Sequence, residues 1–273
     1  MRCDVCPRGC TLEEGKIGFC RARKNESGRS VSVNYGKLVS IALDPIEKKP
    51  LARFHPGSKI LSVGTFGCNM DCLFCQNHSI AAASEEDVRT RYVSPSELAR
   101  LAGEMKDKGN IGVAFTYNEP MIGYEYVRDV SVETKKMGMK NVVVTNGCVL
   151  PNILEQVLPW VDAFNIDLKS FSEETYRKLG GDLETVKDFI TRAAKGSHVE
   201  ITTLIVPGMN ESEEEIKALS GWIAGIERSI PLHITRFFPQ RKMSDCMPTD
   251  IDLLGRLFDT AKKNLDNVFI GNV

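Results

Sequence analysis

No apolar run in the 273 residues approaches the roughly 20 that a membrane helix needs, and the opening MRCDVCPRGC lacks the apolar core of a signal peptide. Neither sign of charge dominates. Lys and Arg number 35 against 36 Asp and Glu, for a formal net charge of -1, so no electrostatic field points to nucleic acid or a membrane surface. The glycine patterns GxGxxG and GxxxxGK[ST] are both missing, which argues against a dinucleotide or P-loop site. These absences lead to the expectation of a cytoplasmic protein with no nucleic-acid and no membrane partner.

What is present is a core and an excess of thiols. Hydrophobic residues make up 42% of the chain and charged residues 26%, which suits one large α/β domain with an appendage or two small domains. Nine cysteines are many for a compartment that keeps thiols reduced, where close spacing usually serves metal binding or catalysis. Cys3, Cys6, Cys10, Cys20, Cys68, Cys72 and Cys75 all precede residue 76, in two tight groups.

Residues 1–30 are polar and rich in Cys and Gly, with no helical or strand period, so something other than an apolar core must tie them down. Residues 31–43 read as two short strands around Tyr35-Gly36, and the proline-rich loop after them is expected to pack back on the body. From residue 60 onward, short Val-, Ile- and Phe-rich runs fall at 60–66, 111–115, 141–145, 161–168, 199–206, 231–238 and 267–271. Helices separate them, with start signals at Ser94-Pro95-Ser96-Glu97, Ser212 with Glu215 and Thr249 with Asp252, and a stop at Gly138. Nearly every run ends in polar or special residues, the pattern of a barrel that builds its site at the strand C-termini. The expected fold is an α/β partial TIM-type (β/α)6 barrel over 59–273, preceded by a Cys-rich segment, hairpin and Pro-rich loop over 1–58.

The segment GCNMDCLFCQN places Cys68, Cys72 and Cys75 in a Cys-x3-Cys-x2-Cys triplet just after the first barrel strand. Structural zinc takes four protein ligands, so three is the wrong count, whereas a 4Fe–4S cluster on three thiolates keeps one iron open. The bland readings are a zinc site completed by Cys148 or His78, or inert buried thiols. Taken alone, Glu119 reads as a first-turn helix acid, Asp167 and Lys169 as a plain ion pair on one strand face, and Asn146-Gly147 as a turn. His233 alone reads as a satisfied core histidine, and Cys148 and Cys246 as buried thiols.

The triplet, with Phe74 before its last cysteine, resembles the signature of the radical S-adenosylmethionine (SAM) superfamily. Along about 200 residues further motifs follow in the same order. Thr116-Tyr117-Asn118-Glu119-Pro120 stands where the superfamily has its GGE-type motif, with both glycines replaced. Val144-Thr145-Asn146-Gly147, Asp167-Leu168-Lys169, Val206-Pro207-Gly208 and Pro231-Leu232-His233 resemble motifs of glycyl-radical activating enzymes. Pro45–Leu51 (PIEKKPL), His55-Pro56-Gly57-Ser58, Cys75-Gln76-Asn77 and Gly271-Asn272 are similar to the AmmeMemoRadiSam group, whose genes accompany Memo-like and AMMECR-like proteins. That group often runs on into a further Cys-containing tail, and this chain stops at Val273.

The resemblance implies an enzyme in which the open iron chelates SAM and an electron from an external donor cleaves it, yielding methionine and a 5′-deoxyadenosyl radical that abstracts hydrogen. It implies cluster ligation by Cys68, Cys72 and Cys75, and SAM contacts from Phe74, Gln76, Asn118, Glu119, Asn146, Asp167, Lys169 and His233. Asn118 and Glu119 are expected at the SAM ammonium, because a desolvated cation needs acceptors. The substrate is expected to be a protein, as for the activating enzymes, or a small molecule. Memo-like and AMMECR-like proteins are candidate partners, and a metal-binding scaffold without turnover is the remaining alternative. Cys3, Cys6, Cys10 and Cys20 supply the four thiolates that zinc or a closed auxiliary iron–sulfur cluster requires, and the spacing leaves both open.

Overall fold

The computed structural model describes residues 1–273. The first 22 residues carry isolated bridges, Arg2 with Thr11 and Ile17 with Lys24, and lead into a hairpin of β1 (Arg23–Glu26) and β2 (Arg29–Ser32). Its two-residue turn has positive φ at both Ser27 (53°) and Gly28 (75°), the geometry that matches strand twist. The hairpin therefore lies earlier in the chain than the expected one. At Tyr35-Gly36 only the glycine has positive φ, and Tyr35 is tied by its hydroxyl to Asp129 at 2.7 Å. The strands that follow pair elsewhere: β3 (Lys37–Leu38) with β6 (Arg91–Tyr92), and β4 (Ser40–Pro45) antiparallel with β5 (Lys59–Gly64).

After β5 the chain alternates between helix and strand. The helices are α1 (His78–Ala81), α2 (Pro95–Glu104), α3 (Tyr124–Lys136), α4 (Pro151–Val157), α5 (Glu173–Lys178), α6 (Leu183–Ala193), α7 (Glu213–Ile226) and α8 (Ile251–Lys262). The strands are β7 (Asn110–Phe115), β8 (Lys140–Thr145), β9 (Ala163–Asp167), β10 (His198–Ile205), β11 (Leu232–Arg236) and β12 (Val268–Gly271). With β5 and β4 they form one eight-stranded sheet in the order β12-β11-β10-β9-β8-β7-β5-β4, parallel throughout except at β4. The edge strands β12 and β4 do not pair, so the fold is a partial barrel, with β12 extending the six expected parallel strands. At Gly112 in β7 a Cβ would stand 1.8 Å from the Lys140 carbonyl, so only glycine permits that approach.

Helix starts follow local chemistry. Ser94 accepts from the Glu97 amide with Pro95 at the first position, and Ser212 accepts from Glu215. At α8 the cap is Asp250, accepting from Leu253 at 2.8 Å, and not Thr249. Thr249 is fully buried and its hydroxyl instead donates to the Ile205 carbonyl at 2.6 Å and accepts from the Phe237 amide at 3.0 Å. Gly138, at φ 67°, closes α3 as expected.

Residues 46–53 plug the barrel. Ile46 and Leu51 pack on Ile60, Ala114, Val142 and Ala163, all fully buried, which joins β5, β7, β8 and β9 across the interior. Polar anchors fix the plug: Asn165 donates to the Pro50 carbonyl at 2.8 Å, and the Ala52 and Arg53 amides donate to the Glu200 carboxylate at 2.8 and 2.7 Å. His198 and His233 bring Nε2 to the same carboxylate at 2.9 and 2.6 Å. Burial raises the Glu200 pKa, but these donors outweigh it and hold the group at about 2.

Candidate active site

The C-terminal ends of the strands surround a cavity of about 420 Å³, within the range of small-molecule sites. Cys68, Cys72 and Cys75 share its wall with Phe74, Gln76, Asn118, Glu119, Asn146, Asp167 and Lys169. The cysteine loop leaves β5 through Gly67 at φ 90°, where a Cβ would meet the Cys20 carbonyl at 2.4 Å. It is held from several sides. Met70 N–H points to Cys68 Sγ at 3.4 Å, the Asp71 amide donates to the Leu179 carbonyl at 2.8 Å, and Arg241 donates to the Cys72 carbonyl at 2.6 Å.

Burial pushes all three thiols up, Cys72 to about 11, while the Lys169 ammonium pulls Cys72 and Cys75 the other way. Thiols in this state are neutral until a metal displaces their protons. Three thiols on one wall, with a cation facing two of them and room beside them, fit a cluster that carries net negative charge and needs an outside ligand.

Glu119 is almost wholly buried and accepts from the Met121 amide (2.9 Å), the Thr145 hydroxyl (2.6 Å) and the Asn146 amide (2.7 Å). Desolvation prevails over these bonds and raises its pKa to about 7, so a cation beside it would complete the site. Lys169 pairs with Asp167 at 2.8 Å. Burial alone would lower the ammonium's pKa, but Asp167 and Cys72 outweigh it and keep the group cationic.

Asn118 and Asn146 line the cavity but spend their amides on the protein. Asn118 accepts from the Thr65 amide at 3.0 Å and donates to the Phe66 and Gly67 carbonyls at 3.2 and 3.1 Å. Asn146 donates to Asn69 Oδ1 at 2.9 Å, stands 3.7 Å from Cys68 Sγ and accepts from the Cys148 amide at 2.8 Å. Both therefore shape the cysteine loop as well as line the cavity. His233 sits elsewhere. It is buried against Phe269, with ring centroids 5.2 Å apart, and bound to Glu200, and it does not line the cavity.

The structure adds residues that sequence reasoning missed. Lys48, Lys49 and Pro50 of the plug form part of the cavity wall, and Lys49 pairs with Asp44 at 2.9 Å while the Tyr117 hydroxyl donates to Asp44 at 2.7 Å. Thr202 and Thr235 join from β10 and β11, and Gln240 from the loop after β11. The PIEKKPL resemblance drew attention to the plug, but no spacing signal marked Asp44 or Arg241. Cys148 is buried, as expected, and Cys246 half-buried.

Residues 62–220 match the model of the radical SAM superfamily, and the chain belongs to that superfamily. It is an enzyme, and activating enzymes are among its relatives. An uncharacterized protein of Methanocaldococcus jannaschii is 38% identical over 276 residues, covering 100% of this chain and 81% of the relative. The pyruvate formate-lyase 1-activating enzyme of Escherichia coli is 26% identical over 163 residues, covering 56% of this chain and 63% of that enzyme, so the match spans less than two thirds of its length. In fold, a domain of pyruvate-formate lyase-activating enzyme from Bacteroides vulgatus superposes with TM-score 0.52 at 18% identity, covering 59% of this chain and 98% of that domain. QueE from Escherichia coli superposes with TM-score 0.56 at 13% identity, covering 87% and 94%. No helix is long and apolar enough to cross a membrane.

Proposed function

We propose that this chain is a radical SAM enzyme that acts on a protein substrate in the manner of an activating enzyme, with Cys68, Cys72 and Cys75 as cluster ligands. The observation that carries the reading is the shared wall: three thiols, a near-neutral buried Glu119 and the Asp167–Lys169 pair face one cavity at the strand ends. The cluster and SAM would supply a 5′-deoxyadenosyl radical. The chain's own residues bind and orient. Glu119 offers a carboxylate to the SAM ammonium, Lys169 a positive partner for its carboxylate, and Asp167 an acceptor for ammonium or hydroxyl. Phe74 and Gln76 supply an aromatic face and polar groups toward adenine. Asn118 and Asn146 hold the cysteine loop in register.

The protein-substrate reading rests on the likeness to activating enzymes; a small-molecule substrate is the second reading, favoured by the enclosed wall that Lys49, Pro50 and Thr202 give the cavity. An external electron donor is required in either case, in the cytoplasm. Memo-like and AMMECR-like proteins are the partners that the PIEKKPL segment suggests. The test is anaerobic reconstitution with iron and sulfide, then incubation with SAM and a strong reductant. 5′-Deoxyadenosine should form and should vanish in Cys72→Ala. Wild-type protein that takes up iron but leaves SAM intact under several reductants would contradict the reading. Stimulation of cleavage by a candidate partner protein, and not by small molecules, would decide between the substrate classes.

A further inference from the structure

A second, smaller cavity lies behind the cysteine loop. Cys3, Cys6, Cys10 and Cys20 all line it, with Arg8, Arg23 and Asn69 beside them. Its volume is about 10 Å³, room for one water-sized atom and no more. The thiols are reduced and, apart from Cys10, buried. Cys3 Sγ lies 3.4 Å from Ser30 Oγ, so at least this sulfur is turned toward a hydroxyl on β2.

We propose that these four cysteines bind a single zinc-class ion that fastens the N-terminal segment to the back of the cysteine loop. Four thiolates with no outside ligand make a closed tetrahedral site. So small a space favours one ion over a cuboidal cluster. Binding would replace thiol protons and turn Cys3 Sγ from Ser30 toward the metal. Arg23, fully buried and paired with Glu125 at 2.7 Å, anchors the same segment.

The site is built against the active-site loop. The Cys20 carbonyl packs on Gly67, and the Asn69 side chain, which lines the small cavity, donates to the Cys148 carbonyl at 2.6 Å and accepts from Asn146. Arg8 donates to the Asn69 carbonyl at 3.4 Å and the Gly180 carbonyl at 3.0 Å. An ion here would therefore stiffen the support of Cys68 without entering the reaction.

The test is elemental analysis of full-length protein expressed with both zinc and iron available. The expected result is about one zinc per chain, reduced at least fivefold in Cys10→Ser and unchanged in Cys72→Ala. Should Cys10→Ser fail to fold, wild-type protein answers the question by native alkylation with mass readout. Cys3, Cys6, Cys10 and Cys20 should be protected, and a zinc chelator should speed their labelling by about tenfold or more. Alkylation at a chelator-independent rate, iron and sulfide held by these four thiols, or disulfides among them would each overturn the proposal.

Discussion

Arg241 Nη2 lies 2.5 Å from Asp71 Oδ1, joining the loop after β11 to the middle of the cysteine triplet across 170 residues of chain. The same guanidinium holds the Cys72 carbonyl, and Arg241 itself adopts φ 53°, uncommon for a residue with a side chain. Arg241→Ala should lower stability by about 1–2 kcal/mol, the carboxylate being partly exposed, and should speed loss of the bound cluster in air several-fold. The bleaching rate of reconstituted protein checks this.

Gly67→Ala places a methyl 2.4 Å from the Cys20 carbonyl, at a φ of 90° that disfavours any side chain. The two effects act on one residue and should cost roughly 2–4 kcal/mol, read as a lower Tm, with iron uptake reduced because the cysteine loop is displaced. Retained iron binding with unchanged Tm would show that the N-terminal segment does not press on the loop.

Glu119 binds its proton up to about pH 7, well above the ordinary value of 4.5, because it is desolvated. A cationic ligand needs the carboxylate, so SAM affinity should rise with pH between about 6 and 7.5 and flatten beyond. Glu119→Gln should weaken SAM by about ten- to a hundredfold and remove that slope. Equilibrium binding to reconstituted protein at several pH values measures both.

Glu200 shows the opposite sign. Its pKa is depressed from 4.5 to about 2, so its contribution is complete above pH 4.5 and disappears as pH falls toward 2. Over that window the metal-free chain should lose roughly 3 kcal/mol of stability from this group, read by denaturant unfolding. Glu200→Gln should be less stable at neutral pH and show a shallower acid slope.

Much of the site was legible because its chemistry is local in sequence. The Cys68, Cys72 and Cys75 spacing, the strand-end polar groups and the Ser94 and Ser212 caps are each set within a few residues. What escaped depends on partners far along the chain. His233 turns away from the cavity because Glu200, 33 residues earlier, claims it, and Arg241 acts through Asp71. The bonds of the Asn118 amide to Thr65, Phe66 and Gly67, over 50 residues upstream, likewise leave no local mark in the sequence. Thr249 is a fair cap by type, but burial between Ile205 and Phe237 commits its hydroxyl and passes the cap to Asp250.

On the proposed reading, three cysteine ligands would leave one iron of a 4Fe–4S cluster open to SAM. The most direct measurement is the electron paramagnetic resonance spectrum of the reduced, reconstituted cluster before and after SAM is added. A changed g-tensor on adding SAM, unaffected by Cys148→Ala, is the expected result. An identical spectrum, or one that Cys148→Ala alters before SAM is present, would mean that a protein side chain already closes the fourth position.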